Sequence, residues 1–418
     1  GNDNAQFTAT SFQDLADITI SDTTMSVAAL NTAITRANLV ATNLGGAKTT
    51  FALAAGSTLN TGAIADFTDL LAVEGTANDD NLNITDQKFT VDDGTVTAAE
   101  ANTLTAATTG LVTASVTTTQ RVSDLVNLTD DTAVGAGQNN AKLTIVISGD
   151  DNTTVTAGQL TTINKGTTEA VNLTNVTALG ASTLANLNII NTAIDNDEFS
   201  NDTGIVVVKI AASGGSIDAG TLATQIDHFI DHNANVVFSL AAGDTLMIDN
   251  DTERGNLATD LTNGRLTLSD QAVTFNGFTV SAAEANAFAN ETTGTVTGTL
   301  DAGSRVSDLK TLRYPNGNAS DTANYETNAY TITIDNADAT SAAADLNLIN
   351  DATSEPVNAA AVSALSSSAL AATSTLLHAG NDNAQFTATS FQDLADITIS
   401  DTTMSVAALN TAITRANL

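Results

Sequence analysis

Short runs in which apolar and polar residues alternate recur along the whole chain. A two-residue period places every second side chain on one face of a strand, and enrichment in Val, Ile and Thr favours the same element. We therefore predict strands over KFTV (88–91), LVTASV (111–116), KLTIVIS (142–148), AVNLTNV (170–176), IVVVKIA (205–211), VVFSLA (236–241), TVTGTL (295–300) and YTITID (330–335).

Runs rich in Ala and Leu lie between these strands, with apolar residues at the i, i+3, i+4 spacing of a helix. Most of them open with Ser, Thr or Asp, which favour the N-cap position. We predict short helices over SVAALNTAI (26–34), TAAEANTL (97–104), TAGQLTTIN (156–164), GASTLANLNII (180–190) and DAGTLATQIDHFI (218–230). The apolar residues expected to be buried are Leu30, Ile34, Leu104, Val122, Leu125, Ile163, Leu184, Leu222, Ile226, Val306, Leu309 and Leu346.

Strands that are joined through helices run parallel, because the crossover returns the chain in the same direction. One strand and one short helix cannot bury an apolar face alone, whereas a stack of such units can. The predicted fold is therefore a repeat solenoid, an α/β or β-solenoid of parallel strands alternating with short helices. We expect about twelve units of roughly 32 residues in each period of the sequence. A doubly wound α/β enzyme is disfavoured, because its helices are longer and no Gly-rich phosphate loop follows a strand.

One segment in each half of the sequence argues for a local hairpin instead. VTFNGFTV (273–280) places Asn-Gly between two short apolar runs, and KFTVDDGTV (88–96) carries Asp-Gly at the matching place. Both dipeptides favour tight two-residue hairpin turns. We predict a hairpin here and parallel pairing elsewhere.

The sequence repeats itself at two levels. Residues 1–39 and 380–418 are identical, which defines a period of 379 residues. Inside it, TVTAAEANTLTAATTG (95–110) returns in diverged form at 278–294, and RVSDL (121–125) returns at 305–309, both with an offset of 184. We therefore divide the chain into a first half-repeat (1–190), a second half-repeat (191–379) and the start of the next copy (380–418). A sequence that restarts in this way is expected to be a piece of a longer one.

The composition restricts the classes of partner. The 47 acidic residues outnumber the 13 Lys and Arg, giving a net charge of −34. Such a surface repels nucleic acids and anionic membranes, because few side chains can neutralise phosphate. No apolar run approaches the roughly 20 residues of a membrane helix, so membrane insertion is not expected. The chain has no cysteine, which removes disulfides and thiolate sites.

The segments TVTAAEANTLTAATTGLVTASV and YTITIDNADATSAAADLNLI resemble repeats of very large bacterial surface proteins rich in Thr, Ala and Asp. These include the haemagglutinin-like and swimming-associated giant proteins of marine cyanobacteria. The resemblance implies an extracellular or cell-surface, non-catalytic, structural or adhesive protein. The Gly/Asp nonapeptide calcium repeat that accompanies many such proteins does not occur in this sequence, so no calcium roll is implied.

Three functions follow from these observations. The leading hypothesis is a structural repeat protein whose copies join end to end in a filament, fibre or surface layer. The alternative is an adhesin stalk that presents a binding tip outside this chain, with cell-surface glycans as a candidate partner. Ice binding by a flat Thr face is disfavoured, because the strand-like runs are unevenly spaced. An enzyme is not expected, since a Ser–His–Asp arrangement would have only three histidines to draw on.

Acidic loops are the candidate metal sites. Calcium binds six to eight oxygen ligands, and Asp and Asn at alternating positions supply them. The candidate calcium ligands are Asp195, Asp197, Asp202, Asp249, Asp251, Asp150 and Asp151. The same residue types are ordinary turn formers, and none of the loops has the Gly and final Glu of an EF-hand. His228 and His232 also have the i, i+4 spacing of two metal ligands, but the preferred interpretation of this pair is a solvated helix end.

Overall fold

The computed structural model describes residues 17–44, 49–61, 63–74, 82–130, 140–151, 154–212, 215–313, 328–382 and 385–410. It shows an α/β protein with several parallel sheets. The chain forms two compact units, Gly1–Val206 and Val207–Leu418. The predicted boundaries at 190 and 379 come from sequence similarity and stay predictions.

The first unit alternates short strands and helices. Its strands are β1 (Asp17–Ile20), β2 (Thr24–Ser26), β3 (Thr50–Leu53), β4 (Thr58–Thr61), β5 (Lys88–Val96), β6 (Val112–Val116), β7 (Ala141–Thr144), β8 (Val171–Asn172), β9 (Ala178–Ser182) and β10 (Phe199–Ser200). Its helices are α1 (Val27–Leu44), α2 (Ile64–Glu74), α3 (Ala98–Ala107), α4 (Val122–Leu125), α5 (Ala157–Asn164) and α6 (Leu184–Asp195).

The second unit has the same alternation. Its strands are β11 (Val207–Ile210), β12 (Ser216–Asp218), β13 (Val237–Leu240), β14 (Thr245–Ile248), β15 (Leu266–Thr267), β16 (Ala272–Val280), β17 (Val296–Leu300), β18 (Ala329–Thr331), β19 (Thr340–Ala342), β20 (Ala364–Ser368) and β21 (Asp396–Ile399). Its helices are α7 (Ala219–His232), α8 (Asp251–Thr262), α9 (Ala282–Ala289), α10 (Val306–Leu309), α11 (Ala343–Asp351) and α12 (Leu370–Asp382). β5, β6 and α4 each lie 184 residues before β16, β17 and α10.

All strand pairs within the two units are parallel among the described residues. In the first unit β2, β4, β5, β6 and β7 form one ladder, and β12, β14, β16, β17 and β18 form its counterpart in the second unit. Paired residues of these two sheets are separated by one passage through a helix, from 20 residues for Val96 and Val116 to 34 for Thr24 and Thr58. We call one such passage a coil.

The predicted hairpins are wrong. β16 is one continuous strand, and the segments on both sides of Asn276-Gly277 pair in parallel with β17, with a register shift between Thr274 and Thr279. A chain reversal would make one of these pairings antiparallel. Gly277 has φ +79°, so the dipeptide forms a bulge in the strand instead of a turn between two strands. β5 has the same shift between Thr90 and Thr95.

The predicted core is confirmed except at one position. Each residue of the predicted set other than Leu184 is at most 6% exposed. Leu184 is half-buried because it is the first residue of α6, next to the N-cap Thr183, where the helix has not yet turned its apolar face inward. The predicted N-caps are also present, and Thr97 and Glu100 form a capping box at the start of α3.

Candidate interaction surface

β21 is the last described strand of the second unit. It is the edge strand of the sheet β19–β20–β21, and it pairs in parallel with β20 through Ala364 and Asp396, and through Leu365 and Ile397. Residues 406–410, which follow it, are helical. One edge of β21 is therefore paired with the preceding coil, and within the part of the chain that the structure describes no strand pairs with its other edge.

Three large apolar side chains of this last segment are exposed. Ile397 is 37% exposed, Met404 is 38% exposed and Val406 is 74% exposed. We call these three exposed side chains together the terminal face.

The identical residues near the start of the chain are covered. Val27 corresponds to Val406 in the repeated sequence and is 0% exposed, although both begin a helix after the same six residues, SDTTMS. Leu30 of the same helix is 3% exposed. The sequence alone therefore does not decide the exposure of this segment. The neighbouring coil decides it.

The coil that covers residues 17–31 consists of β3, β4 and α2. β1 pairs with β3, β2 pairs with β4, and α1 packs against β4 and α2. Polar groups join the two coils as well. The backbone N–H of Thr58 donates to the carbonyl of Thr23 at 2.9 Å, and Nδ2 of Asn31 donates to the carbonyl of Asp66 at 2.8 Å.

A cleft of about 450 Å³ lies beside the terminal face, between the start of α12 and residues 401–408. It is lined by Ala369, Leu370, Ala371, Ser374, Asp401, Thr403, Met404, Ser405 and Ala408. Its walls are apolar and hydroxyl side chains with one carboxylate. Such a lining is suited to packing rather than to catalysis.

Asp401 connects this last segment to the helix before it. The backbone N–H of Leu370, the first residue of α12, donates to Oδ2 of Asp401 at 2.5 Å. The first N–H groups of a helix have no partner within the helix and need an external acceptor. The same device recurs along the chain. The N–H of Ala157 donates to Oγ of Ser182 at 2.9 Å, and the N–H of Ala343 donates to Oγ of Ser368 at 2.9 Å.

The four-residue helices α4 and α10, formed by VSDL in the two copies of RVSDL, are capped in this way by carboxylates of the following coil. The N–H of Val122 donates to Oδ2 of Asp151 at 2.9 Å, and the N–H of Val306 donates to Oδ2 of Asp338 at 2.8 Å. Arg305 also forms an ion pair with Asp338 at 3.0 Å. Sequence analysis missed this role. The signal was an Asp at a similar distance after both copies of RVSDL.

Two of the calcium candidates therefore have structural roles. Asp150 forms an exposed ion pair with Arg121 at 3.3 Å, and Asp151 is the buried cap of α4. A metal ion bound to Asp151 would compete with the Val122 N–H for the same carboxylate.

The other five candidates lie on helix ends and turns. Asp195 ends α6, Asp197 has φ +60°, and Asp202 starts a short 3₁₀ helix. Asp249 accepts a hydrogen bond from Nδ2 of Asn276 at 2.8 Å, and Asp251 forms an ion pair with Arg254 at 2.7 Å. Among the described residues, no three of the seven candidate aspartates bring carboxylate oxygens within 4.8 Å of one another. Calcium binding by these loops stays a prediction.

His228 and His232 lie one turn apart on α7, with ring centroids 5.2 Å apart. The helical spacing predicted from the sequence is confirmed. Two imidazoles supply half of the ligands of a tetrahedral structural zinc site.

Asp260 of α8 is a buried acid that is only 4% exposed. It lies near the exposed Asp227 of α7. The pKa of Asp260 is raised from 3.8 to about 6, mainly by burial and also by the negative charge of Asp227, while the positive charge of Arg265 acts in the opposite direction. An acid of this kind affects stability near neutral pH.

Comparison with protein-family models, with curated proteins and with solved structures found no match. Within the described residues, no helix has the length and apolar character needed to cross a membrane.

Proposed function

We propose that this protein is a structural repeat protein, extracellular or on the cell surface, whose copies join end to end in a filament, fibre or surface layer. The observation that carries the proposal is the pair of identical segments. Residues 17–31 are covered on one side by β3, β4 and α2, whereas residues 396–410 pack on β20 and leave Val406 exposed.

A solenoid is the architecture that this proposal requires. It is supported by parallel ladders that connect successive coils and by side-chain caps that reach from the following coil to α4, α5, α10 and α11. Parallel strands are spaced about 4.8 Å apart, so about twelve coils would advance the axis by roughly 55–60 Å per period.

The charge of the chain limits how copies can meet. A net charge of −34 makes copies repel each other over most of their surface. The side chains of the terminal face are apolar, but Asp396 and Asp401 of the same segment are exposed carboxylates. The proposed assembly should therefore be favoured by salt, which screens the repulsion.

The proposal assigns no catalytic residue and no cofactor to the chain. Calcium enters it only through the acidic loops. If they bind the ion, chelation lowers the melting temperature and calcium restores it, because a ligand of the folded state stabilises that state. Equal melting curves in chelator and in millimolar calcium would remove calcium from the proposal.

Electron microscopy of the native material tests the proposal directly. We expect uniform filaments or layers, with an axial repeat of about 55–60 Å that helical reconstruction or fibre diffraction would measure. A short stalk with a terminal knob would favour the adhesin alternative. Compact particles that do not associate at any protein concentration or salt would contradict the assembly.

A further inference from the structure

The end of α7 carries two histidines on one face of the helix. His228 is half-buried and His232 is exposed, and their rings have centroids 5.2 Å apart with planes inclined by 45°. One ring nitrogen of His228 lies within 4.8 Å of one ring nitrogen of His232. Two nitrogens that bind one tetrahedral zinc ion at about 2.0–2.1 Å are about 3.3 Å apart. Small rotations of the two side chains therefore bring both nitrogens onto a single ion.

We propose that His228 and His232 form a binding site for a late first-row transition-metal ion, such as zinc, nickel or copper. Imidazole nitrogen suits these ions, whereas calcium and magnesium prefer oxygen ligands. The two imidazoles fill two coordination positions, and the others are available to water or to a further oxygen donor. The site does not depend on the proposed end-to-end assembly, because both ligands lie on one helix of one chain.

The turn that carries the histidines is held in place by the core. Phe229 lies between them in the sequence and is 4% exposed. Its ring contacts Phe238 of β13 edge to face, with centroids 5.7 Å apart. A helix fixed in this way presents the two imidazoles in a constant arrangement. Binding of an ion therefore costs little ordering entropy.

The electrostatic surroundings favour a cation. Asp227 and Asp231 directly precede the two histidines, and both are exposed. α7 ends at His232, where the N–H of Asn233 closes the last turn. The carbonyl groups at the C-terminus of a helix carry partial negative charge and stabilise a cation placed there. The carboxylates and the helix end therefore attract the ion, while the imidazoles select it.

The counterpart of α7 in the first unit lacks the pair. An offset of 192 residues aligns the buried Leu30 of α1 with Leu222 of α7. The same offset puts Arg36 and Val40 at the positions of the two histidines. The fold of this coil therefore does not require histidine at either position. We expect this pair to bind one ion per chain.

Calorimetric titration of the full chain with zinc chloride, after removal of metal with a chelator, tests the site. The wild type should bind one zinc ion at this site. H228N and H232N should each weaken it by at least about tenfold, because the second ligand of a chelate binds at a high effective concentration. H378N removes the third histidine of the sequence and is the matched control, which should bind zinc as the wild type does.

A spacing variant separates chelation from histidine content. H232N/N233H keeps the composition and the net charge, but it places the histidines five residues apart, with the second beyond the end of α7. It should lose as much zinc affinity as H232N does. Melting curves of the metal-free variants show whether the fold is retained. If H228N lowers the metal-free melting temperature, H232N and the spacing variant decide, because they change the exposed end of the helix.

The pH dependence identifies the ligand type. Zinc should raise the melting temperature of the wild type, because it binds the folded state. Imidazole binds a metal ion only when it is neutral, so this rise should shrink between about pH 7.5 and about pH 5.5. Exposed carboxylates stay ionised over that range and would keep their affinity. Copper(II) offers a direct readout, since electron paramagnetic resonance detects coupling to coordinated nitrogen.

The results divide clearly. Zinc binding that is lost in H232N and in H232N/N233H, kept in H378N and weakened by acid supports the site. Wild-type affinity in the spacing variant shows that other groups hold the ion, and overturns it. A wild-type chain that binds zinc no better than H232N overturns it as well. Neither result affects the proposed end-to-end assembly, which is measured separately by electron microscopy.

Discussion

Gly298 of β17 lies directly against Phe275 of β16, so that a Cβ atom on Gly298 would lie 2.9 Å from Cδ2 of the phenylalanine ring. The corresponding residues of the first unit, 184 positions earlier, are Ala114 and Val91. Phe275 is larger than Val91, and Gly298 on the next strand is correspondingly smaller than Ala114. The two units therefore have the same strand pairing with different side chains in contact across it.

Gly298→Ala is expected to destabilise the protein by about 1–3 kcal/mol, because the added methyl group overpacks the core against Phe275. The double variant F275V/G298A restores the pair found in the first unit. It should lose less stability than the sum of the two single changes, since the two side chains are in contact. Urea unfolding followed by circular dichroism measures this. An additive double variant would contradict the assigned contact.

Asp338→Ala is expected to cost about 1–2 kcal/mol, because it leaves the first N–H of α10 without its acceptor. Asp338→Asn should cost less, since an amide oxygen can still accept that hydrogen bond while the ion pair with Arg305 is lost. Asp231→Ala, at an exposed position of α7, is the control and should change stability by less than about 0.5 kcal/mol. The comparison uses thermal and urea unfolding. Equal effects at positions 338 and 231 would argue against the cap.

Asp260 predicts a pH dependence of stability. Its pKa is about 6 in the folded protein, against 3.8 for the ordinary side chain, so the folded state holds the proton more tightly. Stability that is present below about pH 4 is therefore lost as the pH rises through 6. The loss amounts to at most about 3 kcal/mol, from 1.36 kcal/mol for each tenfold change in affinity.

Asp260→Asn should remove this loss. Subtracting its unfolding free energy from that of the wild type at each pH isolates the contribution of Asp260 from the general repulsion of the acidic surface. The difference is expected to grow between pH 4 and pH 7 in favour of the variant. A constant difference over that range would show that the acid does not titrate in the folded state as described.

Val27→Asp and Val406→Asp change the same residue of the repeated sequence in two environments. Val27 is fully buried, so its replacement by a carboxylate should cost about 3 kcal/mol or more. Val406 is 74% exposed, so V406D should alter the stability of the single chain by less than about 0.5 kcal/mol. The same variant should weaken self-association, because it places a charge on the terminal face, where copies are proposed to meet.

Leu348→Asp is the matched control for V406D, since Leu348 is also an exposed apolar residue, at 48%, and lies on α11, outside the terminal face. It should leave self-association unchanged. Sedimentation velocity on the three variants compares them. An L348D chain that assembles as weakly as the V406D chain would show that general surface charge is responsible, and not the terminal face.

The alternation of short strands and helices could be predicted from the sequence because local patterns determine it. Each predicted strand run overlaps an observed strand, and capping residues such as Thr97 and Thr156 mark where helices begin. The bulge at Asn276-Gly277 could not be predicted in this way. The same dipeptide forms a tight turn when its flanking segments pair with each other, and here both segments pair with β17.

The interaction surface could be predicted only in part. Identity of residues 1–39 and 380–418 indicated that copies continue one another, but the sequence assigns the same exposure to both segments. Val27 is buried where the following coil pairs with β2, whereas the described residues contain no coil after Val406. The capping role of Asp151 was also hidden, because a carboxylate in a Gly-Asp-Asp turn has the same local signature whether it binds a metal ion or a helix N–H.

The caps between coils also set an order for folding during synthesis. The first N–H of α5 is satisfied by Ser182, 25 residues further along the chain, and that of α4 by Asp151, 29 residues further along. A growing chain emerges from the ribosome from its N-terminus onward. Each of these two helices therefore lacks one hydrogen bond until the next coil has been translated, and its coil is completed by the one that follows.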